Sequence, residues 1–149
     1  MSTQRKIIKF LKKITPRRVK DSIKSSWKKS AHSPYQVISI GNEYVVQIKQ
    51  DTKLFGTEAA RFDIHHIFED DFLEVSSFIS FAENKLCFLD VGASKGVYST
   101  IFTKLNPDGI ANAFEGSTQS CSAIDELAEK NLIYEQINVR ECMVGDYNG

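Results

Sequence analysis

Two acids and two glycines carry the chemistry that can be read from this chain. Asp90 stands two residues before Gly92, Gly96 follows four residues later, and Glu115 lies 19 positions after Gly96. A carboxylate accepts hydrogen bonds from both hydroxyls of one ribose. About 20 residues is the separation expected between a glycine turn and such an acid in a nucleotide-binding α/β unit. Gly92 lets the backbone turn sharply without a Cβ clash. Gly96 lets the start of the next helix pack close to the strand, with its free N–H groups facing the ligand. Plainer alternatives exist for each residue taken singly. Asp90 then caps the turn, the glycines are ordinary turn residues, and Glu115 is a solvated strand-end charge. The agreement of all the separations favours a nucleotide-type pocket. Lys95 is read as a solvated turn side chain.

The elements that must position these residues follow from pattern. Leu86-Cys87-Phe88-Leu89-Asp90-Val91 is a short apolar run ending near an acid, which reads as a buried parallel strand. Val97 to Leu105 is a helix, stopped by Asn106-Pro107-Asp108-Gly109. Gly109 to Glu115 is a second strand. Ser117 or Thr118 caps a second helix, Gln119 to Asn131, with Cys121, Ile124, Leu127 and Ala128 on its apolar face. Ile137 to Val144 is a third strand, and Gly145 to Gly149 a turn. A sheet of this kind binds its ligand at the carboxyl ends of its strands. A dinucleotide fingerprint is G-x-G-x-x-G, and the third glycine is missing here, which counts against a nicotinamide-dependent enzyme.

The run Asp90-Val91-Gly92-Ala93-Ser94-Lys95-Gly96-Val97-Tyr98-Ser99 resembles motif I of class I S-adenosylmethionine-dependent methyltransferases. More narrowly, it is similar to the FkbM-type family, whose usual run is D-V-G-A-N-x-G-x-Y-[ST]. Ser94 stands where Asn is common. Ala113-Phe114-Glu115-Gly116-Ser117 resembles that family's A-F-E-P-x, with Gly116 in place of Pro. The resemblance covers residues 35–149. It implies a Rossmann-like α/β sheet and S-adenosyl-L-methionine as cofactor, bound by Asp90, Gly92, Ala93, Ser94, Gly96, Tyr98, Glu115 and Gly116. It also implies methyl transfer to a hydroxyl on a sugar or natural product, so the partner is a small-molecule or glycan acceptor. The family's later motif, resembling D-x-E-G, is absent from these residues, so no catalytic base is assigned. The expectation is an incomplete sheet of about three parallel strands, the first half of such an enzyme.

Before that domain, residues 35–85 read as a leader resembling a lid or pocket wall. Tyr35 to Ile40 and Tyr44 to Ile48 form a β-hairpin around the three-residue loop Gly41-Asn42-Glu43. Residues 49–57 are polar and read as a loop. Phe62, Ile67, Phe68, Phe72, Val75, Phe78 and Ile79 suggest one broken helix or two short ones between Glu58 and Phe81. His65 and His66, being adjacent, point to different faces and do not share a metal. Cys87, Cys121 and Cys142 have no C-x-x-C spacing and read as free thiols in a reducing compartment, with Cys87 in the core.

Residues 1–34 form a basic amphipathic arm and linker. The formal net charge of zero hides a division: residues 1–30 hold eleven Lys or Arg against Asp21 alone, so the body carries the compensating acids. Ile7, Ile8, Leu11 and Ile14 fall at helical spacing, and after Pro16 a second stripe runs Val19, Ile23, Trp27. Such a helix can lie on an anionic membrane surface or pack on an acidic face of the body. An organellar presequence ranks lower because lysine predominates. Nucleic acid is disfavoured by the lack of aromatic interleaving. No apolar run reaches membrane-spanning length. The expected location is cytoplasmic and peripheral at the membrane. Two function readings stay open: a methyltransferase of FkbM type, and an inactive fragment that only binds or associates with a surface.

Overall fold

The computed structural model describes residues 33–40 and 43–145. The basic arm, the hairpin loop at Gly41 and Asn42, and the turn at 146–149 lie outside them. Two three-stranded sheets are joined by helices. The first is antiparallel, with strands β1 (Val37–Ile40), β2 (Glu43–Lys49) and β3 (Thr52–Gly56) in that order. A helical leader follows: α1 (Arg61–His65), a wide π-type turn over His66–Asp70, and α2 (Phe72–Ala82). The turn is closed by Asp71 N–H donating to the His66 carbonyl at 2.9 Å. Then come β4 (Cys87–Val91), α3 (Val97–Leu105), β5 (Ile110–Glu115), α4 (Thr118–Lys130) and β6 (Ile137–Glu141).

The second sheet is parallel in the order β4-β5-β6, pairing Asp90 with Ala113 and Glu115 with Glu141. Sequential parallel strands joined through helices make this an α/β, Rossmann-like arrangement of three strands. Its covered face holds Ala111, Ala113 and Ile137 against Phe102 of α3 and Ile124 of α4. Small residues on the central strand let these helices approach closely.

The leader shares its core with the α/β layer. Leu54 of β3, Ile64 of α1 and Phe68 pack in one cluster with Ile101 of α3 and Leu127 of α4, each almost wholly buried. Two asparagines tie the layers. Asn131 Oδ1 accepts from Phe55 N–H at 2.9 Å, while its Nδ2 donates to the Phe55 and Leu127 carbonyls, each at 2.8 Å. Asn106 Oδ1 accepts from Lys85 N–H, and its Nδ2 donates to the carbonyls of Ala82 and Phe102. Both follow the last turn of a helix, and each donates from backbone and side chain to one carbonyl of that turn, Phe102 and Leu127 respectively.

Several sequence expectations are corrected here. Residues 49–57 are not a loop, because Thr52–Gly56 pairs with β2. The strand alternates: Leu54 and Gly56 face inward while Lys53 and Phe55 face out, so only one face is apolar and the segment looks polar overall. Glu43 pairs with Ile40 as the first residue of β2, which shortens the hairpin loop to two residues. Cys87 is exposed rather than in the core. It lies with Leu89 and Val91 on the face of β4 opposite the helices, and those two are 63% and 60% exposed. The first parallel strand is therefore buried on one face only. Phe62 projects to solvent beside His66 instead of joining the apolar face, with ring centroids 6.0 Å apart. The third strand ends at Glu141, and Met143 and Val144 beyond it are exposed.

Candidate functional site

The glycine turn is built by the end of β4 running into α3. Gly92 adopts φ +74°, Ser94 φ +51° and Gly96 φ +72°. Three left-handed residues in five turn the chain steeply, a shape that β-branched residues strongly resist. The turn is anchored on the neighbouring strand: Gly92 N–H and Ala93 N–H both donate to the Phe114 carbonyl, at 2.9 and 3.1 Å. Gly96 N–H closes it on the Ala93 carbonyl at 2.8 Å. Ala93 is buried in the α/β core.

The two glycines serve different ends. A Cβ on Gly96 would lie 2.9 Å from Ile124 Cγ2, so α4, and not the strand as expected, is the neighbour that requires glycine there. A Cβ on Gly92 would meet nothing within 4 Å. Only its φ requires glycine, and the space in front of its backbone is open.

Glu115 ends β5 beside this turn. Its Oε2 accepts Ser94 N–H at 2.9 Å, and its Oε1 accepts Ser117 N–H at 2.9 Å. One backbone donor on each oxygen fixes the carboxylate and leaves each oxygen further acceptor capacity. Gly116 follows, and a Cβ there would lie 2.6 Å from Met143 Cγ. Ser117 caps α4 by accepting Ser120 N–H at 3.4 Å. The site is an open shelf: Gly92, Ser94, Gly116 and Ser117 are all exposed. Concavities of about 440 and 460 Å³ lie around Tyr134 to Gln136 and along β6, and neither is lined by the turn.

Asp90 and Tyr98 bond to partners other than Glu115. Asp90 is buried, and its Oδ2 accepts the Ser99 hydroxyl at 2.6 Å. Burial pushes its carboxyl above the ordinary 3.8, opposed by hydrogen bonds from the Ser99 side chain and backbone. Its described bond therefore ties the end of β4 to the first turns of α3. Tyr98 packs edge-on against Phe78 at 4.9 Å, and its hydroxyl donates to Glu74 Oε1 of α2 at 3.1 Å. Burial, then the Glu74 charge, push its phenol well above the ordinary value. Tyr98 is thus a donor facing the leader.

Two partners lie outside the candidate set named from the sequence. Asp63 of α1 accepts the Ser94 hydroxyl on Oδ2 at 2.8 Å. No motif links residues 31 positions apart in this way. Ser99 has a signal: it stands at the Ser or Thr position of the run this sequence resembles, and its bond to Asp90 supplies a physical reason for a hydroxyl there. His65 pairs with Glu69, and His66 with Asp70 and Asp71. Among the described residues, no group of His, Cys, Asp and Glu could hold a metal ion, and no helix is long and apolar enough to cross a membrane.

No family model matches this chain, and no curated protein matches it. Among solved structures, it is similar to the crystal structure of precorrin-6y C5,15-methyltransferase from Geobacter metallireducens GS-15, with a TM-score of 0.42 and 20% identity. The match covers 50% of this chain and 39% of that one, so the chain spans well under half of that protein's length.

Proposed function

We propose that the glycine turn and Glu115 form the donor site of an S-adenosylmethionine-dependent methyltransferase of FkbM type, acting on a hydroxyl of a sugar or natural product. The observation that carries this reading is the fixed carboxylate of Glu115, held by Ser94 N–H and Ser117 N–H beside an unobstructed Gly92. That arrangement fits a nucleoside: the spare acceptor capacity of Glu115 suits two ribose hydroxyls, and the open space at Gly92 admits a ligand close to the backbone. When bound, the donor supplies an electrophilic methyl group on its sulfonium. The chain's own residues bind and orient it, and such positioning is a large share of catalysis for a displacement of this kind. Asp90 supports the turn from behind by fixing β4 to α3. Tyr98 steadies the leader against α3.

Isothermal titration of the full chain with S-adenosylmethionine and with NAD tests the reading. Binding of the first and not of the second is expected, with Glu115→Ala losing about 1–3 kcal/mol, the usual loss for a hydrogen bond to a charged group. Preference for NAD, or an affinity indifferent to Glu115→Ala, refutes it.

We also propose that the basic arm brings the protein to an anionic membrane surface on the cytoplasmic side. Its eleven basic residues and the Val19, Ile23, Trp27 stripe support this. Sedimentation with phosphatidylserine vesicles should be lost on deletion of residues 1–30 and weakened by salt. Sedimentation that survives the deletion or ignores salt refutes it.

A further inference from the structure

We infer that Asp63 is a positioning residue, which acts on Glu115 through Ser94. Ser94 sits at φ +51°, a conformation that an L residue other than Asn, Asp or Gly adopts reluctantly. Something must hold it there. Both of its donors are engaged, on two different elements. The hydroxyl donates to Asp63 Oδ2 at 2.8 Å, and the N–H donates to Glu115 Oε2 at 2.9 Å.

Asp63 can hold because α1 is itself fixed. Ile64, its neighbour in sequence, is wholly buried, and the Ile64 side chain fills the space beside Gly56 of β3. The tether therefore runs from a packed helix, through an exposed hydroxyl, to a backbone N–H, to the carboxylate. With Asp63 in place, Ser94 keeps its left-handed backbone and its N–H stays aimed at Glu115. Without it, Ser94 relaxes toward ordinary φ and one of the two donors that orient the carboxylate is lost. A hydroxyl pointing to a leader helix is needed here because serine, unlike asparagine, has weak preference of its own for positive φ.

The consequence for ligand affinity rests on the donor-site reading above, but the tether does not. Amide hydrogen exchange followed residue by residue by NMR on the full chain separates the two. Asp63→Ala should speed exchange at Ser94 N–H about three- to tenfold, a loss on the scale of one hydrogen bond. Thr100 N–H, bonded to the Gly96 carbonyl within α3, should be unchanged. Asp63→Asn keeps an acceptor for the hydroxyl and should restore the slow rate to within about twofold. Ser94→Ala removes the hydroxyl, and adding Asp63→Ala to it should change nothing more.

Unchanged exchange at Ser94 in Asp63→Ala overturns the inference, as does an equal acceleration throughout α3 or simple addition of the two effects. Titration with S-adenosylmethionine is read separately. An affinity about three- to tenfold weaker in Asp63→Ala supports the role in binding, and equal affinity in a binding wild type overturns it. Wild type that binds no S-adenosylmethionine, with exchange at Ser94 still answering to Asp63, overturns the donor reading and leaves the tether supported.

Discussion

Ser94 donates its N–H to Glu115 Oε2 at 2.9 Å, joining the glycine turn after β4 to the end of β5. The two residues are 21 positions apart in sequence, and the parallel pairing of Val91 with Phe114 brings them together. The acid is thus oriented by the backbone of the same turn whose open side faces the candidate ligand. Because the contact belongs to the turn's conformation, substitutions that disturb that conformation should be felt at Glu115.

The two glycines should separate in their effects. Gly96→Ala meets both a left-handed φ and Ile124 Cγ2 at 2.9 Å. It should destabilise the fold by about 1–2 kcal/mol for the backbone and by a further ~1–3 kcal/mol for overpacking. Gly92→Ala carries only the first of these and should cost about 1–2 kcal/mol. Its methyl group enters the open space in front of the turn, so it should weaken ligand binding out of proportion to its effect on stability. Urea unfolding followed by circular dichroism, beside titration with S-adenosylmethionine, checks both halves.

Asp90 makes stability depend on pH in a definite direction. Burial raises its carboxyl in the folded state, while the unfolded chain titrates near the ordinary 3.8. Between those two values the folded protein binds more protons than the unfolded one, so stability falls as pH rises through the window. Below the ordinary value both states are protonated and the effect vanishes. Asp90→Asn keeps an acceptor for Ser99 and removes the buried charge. At neutral pH it should be at least as stable as wild type, and its lead should disappear on acidification through the window. Paired urea titrations at neutral and at acidic pH measure this.

Asn131 should be among the more sensitive polar positions. Replacing it with Ala leaves the N–H and carbonyl of Phe55 without the side chain that pairs them, while the Leu127 carbonyl keeps the backbone N–H of residue 131. An unsatisfied buried group costs about 1–3 kcal/mol. Asn131→Ala should therefore destabilise by roughly 2–4 kcal/mol, with the loosening felt first at β3, where amide exchange should rise at Phe55.

Tyr98→Phe removes the phenol that donates to Glu74 while keeping the edge-on packing against Phe78. Glu74 is exposed and regains water, so a modest loss of about 0.5–1.5 kcal/mol is expected. Ligand affinity should hold, since the hydroxyl faces the leader and not Glu115. A marked loss of affinity would return Tyr98 to the binding site.

The sequence by itself determined the α/β half of this protein. Strand, glycine turn, helix and strand are local signals, each legible within a few positions, and the acid follows from its spacing to the glycine turn. The helix Val97–Leu105 is bounded by Gly96 and by Asn106-Pro107, and β5 ends at the acid that spacing singled out. Positive φ at Gly92 and Gly96 follows equally from residue type and context. Tertiary structure decided what depends on which face is covered and by what. Thr52–Gly56 became a strand because β2 offers it an edge and the core receives Leu54, not through composition. Cys87 became a surface residue because helices cover one side of β4 only. Gly96 is required by Ile124 of a later helix. Asp63 reached Ser94, and the Tyr98 hydroxyl met Glu74, because the leader packs into the same core as α3 and α4. Local sequence fixes backbone preference over a few residues, whereas burial and long-range hydrogen bonds depend on partners that only the folded chain brings within reach.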